Sequence, residues 1–70
     1  MGLDLKEYEQ RIRKAVLERD NNALIIQKEY DYVIFHRILE KVAFELNMQV
    51  WCHGNVICLY DSTGNLISAF

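Results

Sequence analysis

MQVWCHGNVICLYDSTGNLISAF, residues 48–70, is the stretch that decides the fold. Three short apolar runs, residues 48–53, 56–60 and 66–70, are separated by two turn signals. Gly54-Asn55 between apolar runs is a two-residue hairpin signal, because glycine accepts the positive φ that such turns need. It predicts the pairs His53–Val56, Cys52–Ile57, Trp51–Cys58, Val50–Leu59 and Gln49–Tyr60. In the second turn Asp61 opens the loop and Gly64 takes the left-handed position. This fits a three-residue loop on a type I turn with a bulge. The expected pairs are Tyr60–Leu66, Leu59–Ile67, Cys58–Ser68, Ile57–Ala69 and Val56–Phe70. The stretch therefore reads as a three-stranded antiparallel meander.

Side chains alternate along a strand, so this register sorts them onto two faces. Met48, Val50, Cys52, Ile57, Leu59, Ile67 and Ala69 share one face, carry no polar side chain and are assigned to the core. Gln49, Trp51, His53, Val56, Cys58, Tyr60, Leu66, Ser68 and Phe70 share the other. A sheet wetted on one side alternates cleanly between apolar and polar residues. With Trp51, Tyr60, Leu66 and Phe70 on it, the second face is too apolar for ordinary solvated surface.

Upstream, Asp4 followed three residues later by Glu7 is a helix-start signature, and Leu3 with Tyr8 suits a hydrophobic staple. Leu5, Tyr8, Ile12, Ala15 and Val16 recur at helical spacing, opposite Lys6, Glu7, Gln10, Arg13, Lys14 and Glu18. The spacing predicts a helix over residues 5–19. Its basic cluster, Arg11-Ile12-Arg13-Lys14, is interleaved with acids and reads as a solvated face rather than a nucleic-acid or membrane contact. Residues 19–22 break the pattern. Residues 23–27 fit either a short strand or an early helical turn capped by Asn22. The absence of a Gly or Pro break from Ala23 to Asn47 favours the helix. Over residues 31–47, Tyr32, Phe35, Ile38, Leu39, Val42, Ala43 and Leu46 form an apolar stripe widened by Ile34. Val33 and Phe44 fall on the polar side, near Arg37 and Glu40. A helix apolar beyond one stripe touches something on two sides.

The layout is α+β: two N-terminal helices packed on one face of a three-stranded antiparallel meander, in the order helix-helix-strand-strand-strand. The 70 residues make a single small domain, residues 1–70. A chain this short buries only about 60% of its unfolded surface and leans on disulfides, metals or self-association. At 51% apolar residues it is no disordered segment, and its net charge of −2 argues against a general nucleic-acid binder. No N-terminal signal peptide and no membrane-spanning run is expected. Cys52 and Cys58 point to opposite faces, so no bridge is expected between them. The setting this implies is a reduced, cytoplasmic one.

Side chains able to carry chemistry are Cys52, His53, Cys58, His36, Asp61 and Ser62. A structural zinc site wants four converging ligands, and here Cys52 faces the core while His53 and Cys58 face out. A cysteine nucleophile needs a base and an orienting group, and no carboxylate stands near His53 and Cys58. The Asp61–Gly64 segment is turn chemistry with too few glycines to cradle a phosphate. No catalytic residue, metal or cofactor is expected.

The expected function is that of a small non-catalytic interaction module, an inhibitor or adaptor acting on a protein partner. By analogy of size alone, small cytosolic bacterial or phage-encoded proteins fit this description. The edge strands, at residues 48–53 and 66–70, carry no Pro or Lys to discourage pairing, so a homo-oligomer, first of all a dimer, is expected. The surface is the outer sheet face, with Gln49, Trp51, His53, Tyr60, Leu66 and Phe70. If a dimer uses up that face, Val33, Arg37, Phe44 and the N-terminal helix remain for a partner. One alternative is a small-molecule or nucleotide site lined by aromatics at a dimer interface, with His53 and Gln49 as polar anchors. A second is a nucleic-acid-associated regulator.

Overall fold

A computed structural model describes residues 4–70. Helix α1 spans Leu5–Glu18, α2 Asn21–Tyr30 and α3 Tyr32–Glu45; strand β1 spans Gln49–His53, β2 Val56–Tyr60 and β3 Leu66–Ala69. The strands form one antiparallel sheet in the order β1-β2-β3, so β1 and β3 are its edges. The α+β layout is the one the sequence predicts, with three helices in place of two.

The extra helix comes from aspartates that end one helix and start the next. Asp4 caps α1, its Oδ1 accepting from the amides of Lys6 and Glu7 at 3.1 and 3.3 Å. Glu7 does not close the box; its carboxylate takes Arg11 at 2.6 Å. Leu3, the expected staple residue, lies outside the described residues. Arg19 then adopts the left-handed conformation, φ 54° and ψ 41°. This lets the Asp20 amide donate to the Ala15 carbonyl at 2.9 Å, a closing bond that satisfies one of the last free carbonyls. The Asp20 carboxylate accepts from the Ala23 amide at 3.1 Å and so opens α2. Asp20 is the cap, and Asn22 lies inside the helix. Residues 23–27 are helical. Asp31 is extended, φ −156° and ψ 102°, and caps α3 by accepting from the Ile34 amide at 3.1 Å. One non-helical residue thus turns the axis, and α2 packs against both α1 and α3.

The core joins Tyr8, Ile12, Ala15 and Val16 of α1, Leu24 of α2, and Phe35, Leu39, Val42 and Ala43 of α3 to Ile57, Leu59 and Phe70. Each large side chain so buried contributes roughly 1.5–3 kcal/mol. Leu5 and Tyr32, expected in the helix stripes, are exposed instead. The Tyr8 hydroxyl donates to the Gln27 carbonyl at 2.5 Å and pins α1 to α2. Burial, helped by the Asp31 carboxylate and Tyr30, pushes its phenol up, so it remains a donor. On the solvent side Glu9 bridges Lys41 at 2.7 Å and Arg13 at 3.3 Å, and Arg13 reaches Glu45 at 2.7 Å. The Glu9–Lys41 and Arg13–Glu45 pairs join α1 to α3. Lys41, then Arg13, hold the Glu9 carboxyl below its usual value.

The first hairpin has the predicted register at all five pairs. Gly54 supplies the positive φ, +64°. The second hairpin departs from prediction after one pair. Tyr60 faces Leu66, but Leu59 faces Ser68 and Cys58 faces Ala69, with a bulge between. Ile57 and Phe70 exchange both backbone hydrogen bonds at 2.9 Å. One residue inserted at a bulge turns every later side chain to the opposite face. Ser68 and Phe70, expected outside, are buried, and Ala69, expected in the core, is exposed. Ile67 is half-buried beside the irregularity. The reason is volume. Phe70, 6% exposed, meets Phe35 edge to face with ring centroids 6.0 Å apart. An aromatic ring buries about 150–250 Å², several times what the alanine of the predicted register would fill.

Candidate functional site

The alternation of β1 puts Gln49, Trp51 and His53 on the outer side of the sheet, and the hairpin register sets Tyr60 beside Gln49. With Gly64 these four line a shallow concavity of about 310 Å³. The Trp51 indole N–H donates to Gln49 Oε1 at 3.3 Å. Cys58 lies opposite Trp51 and is half-buried, and Leu66 lies opposite Tyr60. Trp51, Val56 and Leu66 are 56%, 44% and 57% exposed, so this face is open to solvent. It carries no Asp, Glu, Lys or Arg among Gln49, Trp51, His53, Val56, Cys58, Tyr60, Leu66 and Ala69.

The turn that supplies Gly64 is held by one carboxylate. Asp61 Oδ1 accepts from the Thr63 hydroxyl at 2.7 Å and from the Thr63 and Asn65 amides at 2.9 Å each. These bonds, the Thr63 hydroxyl first, hold the Asp61 carboxyl below its usual range.

The other predicted residues are distributed differently. Phe70 leaves the face for the core, for the packing reason given above. Val33, Arg37 and Phe44 follow one another at helical spacing on the outside of α3, with Phe44 the most exposed large apolar residue among the described residues at 84%. Phe44 lines a second hollow with Asn47, Met48, Gln49 and Ser62. Gln49 belongs to both hollows, so Phe44 extends the sheet face around its β1 edge. Arg37 instead lines a groove between α1 and α3 with Leu5, Glu9, Ile34, Ile38 and Lys41. Val33 lines neither hollow.

A second cluster joins residues that sequence reading keeps apart. Cys52, assigned to the core, is exposed, because at that end of β1 the helical layer opposite it presents the polar His36 rather than apolar core residues. Its Sγ lies 3.1 Å from His36 Nε2. His36 Nδ1 lies 3.4 Å from Glu40 Oε1, one helical turn on. The Tyr32 ring stacks on the imidazole, with centroids 6.3 Å apart and planes 20° apart. The cluster is a line with the imidazole in its middle. Among the described residues no three His, Cys, Asp or Glu side chains converge as a metal site would require. The signal that finds this pair is distance from the turn at Asn47. Ten helical residues back to His36 rise ~15 Å, and four strand residues forward to Cys52 rise ~13 Å.

No known protein family, curated protein or solved structure matches this chain.

Proposed function

We propose that this chain is a non-catalytic protein-interaction module, of inhibitor or adaptor type, that pairs with a second copy of itself through the outer sheet face. The observation that carries the reading is the exposed, charge-free sheet face that holds Trp51, Val56 and Leu66. Trp and Tyr concentrate binding energy at interfaces, and a face without charges meets its own copy across a twofold axis without repulsion. Size then limits the strength. Strands of five, five and four residues at ~3.3 Å per residue and ~4.8 Å spacing give a plan of roughly 17 by 14 Å. That falls well short of the ~800 Å² per partner of a standard interface. The pairing is therefore concentration-dependent and recruits Phe44 at the rim. Val33 and Arg37 stay free for a different protein partner. The proposed setting is the cytoplasm, in keeping with the absence of a bridge between Cys52 and Cys58. Among the described residues no helix is long and apolar enough to cross a membrane.

The test is Trp51→Ala. It abolishes self-association while leaving the unfolding midpoint of the dilute chain within a few degrees of the parent. A Trp51→Ala chain that associates as before removes the reading.

A second reading rests on the concavity itself. Gln49, Trp51, His53 and Tyr60 combine aromatic walls with polar anchors, the usual composition of a small-molecule or nucleotide site. A bound nucleotide or metabolite raises the melting temperature by mass action, and silence across a broad screen counts against it. A nucleic-acid-associated role has less support, since Arg11 and Arg13 are already paired with carboxylates.

A further inference from the structure

We propose that Cys52 is a site of reversible S-thiolation, its thiol activated by His36 and the imidazole held in orientation by Glu40. The inference is independent of the self-association reading, because Cys52 turns toward His36 of α3 while Trp51 faces the other way.

Three observations carry it. Cys52 is an exposed residue, open to a reagent from solvent. Its partner, His36 Nε2, stands 3.1 Å away, within reach for proton transfer. Glu40 lies 3.4 Å from the other ring nitrogen. When His36 Nδ1–H donates to this carboxylate, Nε2 is left with a lone pair that accepts the Cys52 S–H. A carboxylate that fixes the tautomer of a histidine base is the usual logic of an assisted nucleophile. The Tyr32 ring lies nearly parallel to the imidazole beside it. Cys58, on the opposite face and half-buried, has no such partner among the described residues.

The co-reactant class is a low-mass disulfide, R–S–S–R. The Cys52 proton passes to His36 Nε2 and the sulfur attacks one sulfur of the disulfide. A Cys52–S–S–R bond forms as the reagent's S–S bond breaks. The departing RS⁻ takes the proton back from the imidazolium and leaves as RSH. Cys52 is oxidised, one R–S unit is reduced, and no further oxidant is needed. The cluster has no set of amides aimed at a carbonyl oxygen, so thiol exchange suits it better than acyl transfer.

The size of the effect is bounded. At pH 7 an unassisted thiol is a few per cent thiolate, so complete ionisation offers at most about thirtyfold. Part of that is lost because a more acidic thiol is a weaker nucleophile. The expected assistance is therefore roughly threefold to tenfold.

The test uses the full chain carrying Cys58→Ser, exposed to glutathione disulfide at pH 7, with the adduct followed by mass spectrometry. His36→Gln lowers the rate at least threefold. Glu40→Ala also lowers it, and Glu40→Gln, whose carbonyl still accepts from Nδ1–H, restores it. A His36→Gln rate within threefold of the parent overturns the proposal, and an unchanged Glu40→Ala rate overturns the role of Glu40. If His36→Gln melts below the parent, the comparison of the folded parent with the same chain in urea decides. A folded thiol slower than the unfolded one overturns the proposal, and a faster one supports it.

Discussion

Arg19 holds the left-handed conformation at the end of α1, φ 54°. Only glycine enters this region without steric penalty, and asparagine tolerates it better than arginine does. Arg19→Gly is expected to raise stability by ~0.5–1 kcal/mol, read from urea unfolding. Lower stability would mean that the Arg19 side chain makes a contact that outweighs the strain. Asp61 supplies a pH-dependent counterpart. Its carboxyl is held low in the folded chain by Thr63 and Asn65, as that of Glu9 is by Lys41 and Arg13. A folded value below the unfolded one gives stability that is present above the unfolded value. It is lost as pH falls through the folded one. Asp61→Asn is therefore less stable than the parent at pH 7, and the two converge in acid. A gap between their urea midpoints that stays constant from neutrality to about pH 2 would contradict this. At this scale the sequence is legible where a residue acts on near neighbours, as Asp4, Asp61 and Gly64 do. It is less so where contact crosses elements. Cys52 and His36 are each visible as candidates, but their meeting depends on how far α3 covers β1.

Elements are legible in proportion to how local their signals are. The Gly54-Asn55 turn fixes the first hairpin, because a two-residue loop leaves no freedom of register. The second hairpin has a longer loop, and a bulge admits two registers whose faces differ. Tertiary packing chooses between them by placing Phe70 rather than Ala69 under Phe35. Alternation alone contains no term for that preference. The α2–α3 break is similar. Asp31 ends α2 and caps α3 with one extended residue, a signal weaker than Gly or Pro. The register gives a direct prediction. Phe70→Ala opens a cavity in the core and costs about 3–5 kcal/mol, measured by chemical unfolding. A 70-residue domain holds only roughly 3–10 kcal/mol in total, so this change unfolds much of the population. A near-neutral result would restore the unbulged register, with Phe70 on the outer face.

The whole molecule has a radius of gyration of 11.3 Å, ordinary for a compact chain of 70 residues. Helices cover one face of the sheet, and Trp51, Val56 and Leu66 remain open on the other. Small domains are marginal because they bury a smaller fraction of their surface, and a second copy is one of the few supports left to them. The account therefore rests on whether that face pairs. The direct measurement is absolute mass by light scattering behind a sizing column, over a dilution series, for the parent and Trp51→Ala. The account predicts a parent mass above the 8.3 kDa of one chain at high concentration. It falls toward that value on dilution, while Trp51→Ala stays there throughout. A parent that remains at 8.3 kDa at every concentration contradicts the account.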